Sequence, residues 1–146
     1  MLRMWFSPPK ETPIVIEVVL YRLHVVVFIG WSVDDIVQWG LDGQIDHWQF
    51  TESWKTWTRN ASETAKGWCT NYGGNGNSDV VTWLKDRPTK ASEYGTLWHE
   101  LVHAVDKIAN QADPGAHFYD DSWQSEPRAF LYEYLAVEIS KVLWNR

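Results

Sequence analysis

From Ile14 to Ile29 the chain is almost continuously apolar, and Val and Ile dominate the run. Branched side chains of this kind favour extended backbone. The run reads as two strands, Ile14 to Leu20 and Leu23 to Ile29, or as one long bent strand. Near-continuous apolar character predicts burial on both faces, as in the centre of a sheet. Gly30 ends the run, and Ser32 is placed to cap a helix from Val33 to about Leu41, with Asp34 and Asp35 in its first turn. Ile36, Val37 and Trp39 supply its apolar side, and Asp42-Gly43 is a turn signal. From Gln44 to Thr58 the aromatic residues are spaced irregularly and neither period fits. The Gly- and Asn-rich stretch Asn71 to Ser78 reads as a loop, and Asp79 to Lys85 as a strand that ends before Pro88.

A helix starting at Thr89 or Ser92 follows. Leu97, Leu101, Ala104, Val105 and Ile108 lie on its core side, and it ends near Gln111, before Asp113-Pro114-Gly115. Ser125-Glu126-Pro127 opens the last helix, with Ser at the cap and Pro in the first turn. Its apolar stripe is Phe130, Leu131, Tyr134, Leu135, Ile139, Val142 and Leu143. Met1 to Thr12 reads as an irregular arm. These elements make an α+β fold, a few-stranded sheet packed on helices, and 146 residues suffice for one core but not two.

Composition narrows the function classes. A net charge of −6 with no basic stripe excludes a phosphate-neutralising nucleic-acid surface. Glu17, Arg22 and His24 interrupt the apolar run, which is too short for a spanning helix, and no basic leader precedes it. The expectation is a cytoplasmic chain without membrane contact. Cys69, the single cysteine, forms neither an internal disulfide nor a Cys-type zinc site. The Asn71–Ser78 loop lacks the Gly-Lys-Ser/Thr ending of a phosphate-binding loop. Eleven tryptophans fill cores and line binding surfaces.

The chemistry concentrates in Trp98-His99-Glu100-Leu101-Val102-His103, an H-E-x-x-H motif. On a helix, His99 and His103 project from one face a turn apart and can hold one Zn²⁺, while Glu100 reaches a metal-bound water. From composition, a chance occurrence in a chain this size has a probability of roughly 1% or less. A peptidase site needs a third protein ligand and an open position. Glu126 fits best: it lies 23 residues beyond His103, at a helix start that favours an ionised carboxylate. Glu133, two turns later on roughly the same face, is the alternative ligand or a supporting group.

The pairing of H-E-L-V-H with E-P-R-A-F-L resembles the gluzincin metallopeptidases, and the small size resembles the minimal members called minigluzincins, including short metallopeptidases of phage genomes. The resemblance covers about Asp79 to Leu135. It implies a zincin-like domain over residues 1–146 in which His99, His103 and Glu126 bind zinc and Glu100 is the general base. Metzincins continue with a Gly and a third His, which are absent here. His103-Ala104-Val105-Asp106 is also similar to the extension in anthrax-lethal-factor-type and Pro-Pro endopeptidase-type enzymes. Those enzymes place a catalytic Tyr seven residues before the ligand Glu, and Tyr119 stands at that distance from Glu126.

The expected activity is hydrolysis of a peptide lying extended along the Asp79–Lys85 strand, with Tyr119 as a donor to the oxyanion. Asp106 is either a helix-surface carboxylate or a group steadying a histidine. Gly95 is either a site of close packing or a tolerated helix glycine. Trp98 and Trp83 are expected to shape the cleft, and His24 to be a satisfied core residue. Two other functions use the same residues. One is an inactive zinc-binding domain that offers a tryptophan-rich surface to a protein partner. The other is a structural zinc site closed by His117 or Asp106.

Overall fold

The computed structural model describes residues 11–44, 48, 50–71, 79–112 and 126–145, the side chains at 44, 112 and 126 excepted. Strands β1 (Ile14–Val18) and β2 (Leu23–Ile29) form an antiparallel hairpin that pairs Ile14 with Val27 and Val18 with Leu23. A 3-10 turn over Val19–Tyr21 joins them, and Arg22 closes it in the left-handed region at φ 53°. The two strands differ in burial. β2 is buried on both faces, whereas β1 alternates, with Val15 and Glu17 exposed, because it lies at the sheet edge. The expectation of two-sided burial therefore holds for β2 alone.

Helix α1 (Val33–Trp39) begins as expected at Ser32, whose hydroxyl accepts from the Asp35 N–H at 3.1 Å. The chain then turns through Gly40–Gln44, with Gly43 at φ 79°. Within the stretch that no period fitted, α2 (Glu52–Thr64) forms, capped by Thr51 Oγ1, which accepts from the Trp54 N–H at 3.1 Å. Two more strands follow, β3 (Gly67–Asn71) and β4 (Val80–Leu84). The strand order is β1-β2-β4-β3, with β4 parallel to β2 and antiparallel to β3. This four-stranded mixed sheet is the centre of an α+β fold.

Alternation of side chains divides the core into two layers. On one face, Val25, Val27, Val80 and Leu84 pack against Leu97, Leu101 and Ile108 of α3 (Ala91–Ala112) and Leu135 and Ile139 of α4 (Glu126–Trp144). On the other, Val26, Phe28 and Val81 meet α1 and α2 through an aromatic layer. Six of the eleven tryptophans, including Trp83, are in that layer. Trp83 stacks on Trp68 at 5.7 Å and donates to the Trp31 carbonyl, so it points away from the motif helix and does not shape a cleft there. Most of the described tryptophans thus serve core packing, while Trp57 and Trp144 are exposed.

Asp79 ties the start of β4 to β2 and to the aromatic layer. Its buried carboxylate accepts from the His24 N–H at 2.6 Å and from the Trp48 indole at 2.8 Å, and the His24 ring lies 3.3 Å away. His24 is accordingly satisfied, though only half-buried. No helix among the described residues is long and apolar enough to cross a membrane.

Candidate metal centre

The motif lies on α3, which starts at Ala91 because Glu93 reaches back over the first turn. Its carboxylate accepts from Thr89 Oγ1 at 2.9 Å and from the backbone N–H groups of Thr89 and Lys90. The Thr89 hydroxyl bond, followed by the Thr89 backbone bond, holds the Glu93 carboxyl below its ordinary pKa. Leu97, Leu101, Ala104, Val105 and Ile108 take the buried face, as their spacing predicts. His99 and His103 then emerge on the open side, one turn apart. Their Nε2 atoms are 3.2 Å apart and the rings stand nearly perpendicular, with centroids 4.8 Å apart.

Glu100 points elsewhere. It is buried between α3 and β3, where Gly67 admits it: a Cβ at position 67 would stand 3.1 Å from Glu100 Cγ and 3.1 Å from the Trp83 carbonyl oxygen. Burial raises the Glu100 pKa, and the neighbouring His99 and His103 pull it back down. No described side chain hydrogen-bonds its carboxylate, which faces a cleft of about 390 Å³. The cleft wraps around the outer edge of β3, with Trp57 and Ala61 of α2 on one side and Glu100 and His103 on the other. Gly67 is the residue that sequence reasoning missed. A glycine just after a helix is common, and only the approach of Glu100 gives it a role. Beneath the cleft, burial pushes the Cys69 thiol up to about 12, which makes it inert at neutral pH.

Asp106, a turn beyond His103, forms an ion pair with Arg128 of α4. It therefore anchors the first turns of α4, where Glu126 lies, and among the described residues it joins no metal-binding group. Glu133 is exposed on α4, and among the described residues no three His, Cys, Asp or Glu side chains gather into a metal-binding group. Glu133 does not join the histidine pair, so the alternative ligand is not assembled. The Glu126 backbone opens α4, but its side chain lies outside the described residues, as do Tyr119 and His117. Gly95 is exposed, and a Cβ at that position would meet no atom within 4 Å, so it serves no close packing. Trp98 packs beside Tyr94 and lines a groove with α4 instead of the Glu100 cleft.

The expected docking strand also needs correction. β4 pairs with β2 on one side and β3 on the other, so its backbone groups are already used and no peptide can add to it. The edge beside Glu100 is that of β3.

Two imidazoles on a tetrahedral zinc at about 2.0–2.1 Å have nitrogens roughly 3.3 Å apart. The 3.2 Å observed for His99 and His103 fits that donor arrangement. No family model, curated protein or solved structure matches this chain.

Proposed function

We propose that this protein is a zinc-dependent peptidase of gluzincin type, in which His99, His103 and Glu126 hold the metal and Glu100 is the general base. The observation that carries this reading is the pair of Nε2 atoms 3.2 Å apart with a buried carboxylate beside them that opens on a cleft. When bound, zinc lowers the pKa of water towards about 7 and polarises a carbonyl.

The chain's own residues supply the rest. Glu100 takes the proton of the attacking water and returns it to the leaving amine. Its burial suits the task, because it keeps bulk water away from the transferred proton. Asp106 and Arg128 tie the start of α4, from which Glu126 comes, to the helix that carries the histidines. The edge of β3 that no described strand pairs offers backbone groups to an extended peptide, and Trp57 across the cleft covers that peptide from the other side. Tyr119 is the proposed donor to the oxygen of the scissile carbonyl.

Metal analysis and peptide digestion test the reading together. Zinc should be near one per chain, fall sharply in His103→Ala and persist in Glu100→Gln, which should no longer cleave a peptide library. Unchanged zinc in His103→Ala refutes the metal site, and retained cleavage in Glu100→Gln refutes the base. Cleavage by the wild type that survives a chelator refutes the role of zinc. Glu126→Ala should lose metal and Glu133→Ala should keep it.

A further inference from the structure

Helix α4 is apolar on two faces. Leu131, Leu135, Ile139 and Leu143 are buried against the sheet and α3. Outside that face, Phe130, Tyr134, Val137 and Trp144 are 65%, 42%, 46% and 72% exposed, and the Tyr134 hydroxyl donates to the Glu17 carbonyl of β1 at 2.9 Å. With Lys141 between the last two, these positions repeat at spacings of four, three, four and three residues, which is the seam of a helix pair. Single exposed apolar residues are normal, but a continuous seam is not.

We infer that this outer face is a self-association surface, on which α4 packs antiparallel against α4 of a second copy of the chain about a two-fold axis at Val137. The layout of the stripe selects that occupant. Phe130 and Trp144 lie seven residues either side of Val137, and Glu133 and Lys141 four residues either side. Antiparallel pairing therefore sets Trp144 of one copy against Phe130 of the other, and Lys141 against Glu133. Each contact occurs twice, as an isologous interface requires. Parallel pairing would instead oppose Glu133 to Glu133 and Lys141 to Lys141. Lys141 already donates to Glu138 of its own helix at 2.9 Å, and an ammonium has further protons for Glu133 of the second copy.

The surroundings complete the seam. Next to Phe130 and Tyr134 is an apolar groove of about 500 Å³, floored by the turn that carries Val19 and Leu20. Antiparallel pairing directs the indole of the second copy's Trp144 towards this groove. Taking about 150–250 Å² for an aromatic side chain, the exposed parts of the stripe, Val19 and Leu20 amount to roughly 700 Å² per copy. About 1,400 Å² for two copies falls within the range of a stable, specific interface. This inference is independent of the metal-site reading.

Sedimentation velocity of the full chain over a concentration series tests it. The expected result is a reversible dimer at twice the 17.0 kDa chain mass. Glu133→Lys and Lys141→Glu, each made alone, place like charges across the axis and should each weaken the dimer about tenfold. The double exchange Glu133→Lys with Lys141→Glu restores opposite charges and should restore the dimer. Both positions are exposed, so far-UV circular dichroism should be unchanged in all three variants. A chain monomeric at every concentration overturns the inference and leaves the face to another partner. A dimer that is indifferent to the single exchanges, or that the double exchange does not restore, also overturns it.

Discussion

Gly67→Ala places one methyl group between the proposed base and the strand behind it. The added Cβ would sit 3.1 Å from Glu100 Cγ, 3.1 Å from the Trp83 carbonyl oxygen and 3.2 Å from Leu84 Cδ2. Ordinary contacts begin near 3.4 Å, so three neighbours must each yield a few tenths of an ångström. The Trp83 oxygen is backbone within the β3–β4 ladder and yields least. Glu100, at the end of a flexible side chain, yields most. Overpacking of this size costs about 1–3 kcal/mol, and replacing a strand glycine returns about 0.5–1 kcal/mol through the unfolded chain. The net expectation is a loss of about 1 kcal/mol in urea unfolding. The larger effect should be on chemistry: a displacement near 1 Å of a catalytic group can cost about a hundredfold, so a shift of a few tenths should cost roughly several-fold. Zinc content should stay at the wild-type level, since the three atoms nearest the added Cβ belong to Glu100, Trp83 and Leu84 and not to a histidine. A Gly67→Ala protein with wild-type stability and wild-type peptide hydrolysis refutes the reasoning.

Asp106→Asn removes the ion pair to Arg128, which is only partly screened by solvent, and should cost about 1 kcal/mol in unfolding. By loosening the start of α4 it should also weaken zinc binding about tenfold in competition with a chromophoric chelator, and an unchanged affinity would show that Asp106 positions nothing. Cys69 should resist iodoacetamide in the folded protein at pH 8 and react on unfolding; labelling of the folded chain at a free-thiol rate contradicts its burial. The linked pH effect has a definite sign. Between the ordinary thiol value of 9.0 and about 12, the unfolded chain loses the Cys69 proton while the folded chain keeps it. Stability should therefore fall as pH rises through that window, and Cys69→Ala should fall less steeply, as pH-dependent unfolding can show.

Local chemistry made much of this chain legible. Ser32 with Asp34 and Asp35 marked α1, and the β-branched run marked β1 and β2. The five apolar positions of α3 marked its buried face and so placed His99 and His103 on the open one. β3 was not legible, because Gly-Trp-Cys-Thr-Asn is short and begins with glycine, and its pairing with β4 supplies what local propensity does not. Nor was α2, in which Trp54, Trp57, Thr58 and Ala61 do recur at helical spacing but follow an aromatic stretch that hides the period. The stripe expected on α4 mixed two faces: Leu131, Leu135 and Ile139 are buried, while Phe130 and Tyr134 are exposed.

What the sequence by itself determined is that His99 and His103 share one face of α3 with Glu100 turned from it, since residues one helical turn apart share a face wherever the helix is placed. What only the tertiary structure decided is which surfaces that helix meets. Strand order buried β4 between two neighbours and left β3 at the edge, because pairing across 55 residues is set by the whole sheet rather than by any segment. That order put β3 and not β4 at the edge beside the cleft, made Gly67 the neighbour of Glu100, and turned Trp83 away from the cleft.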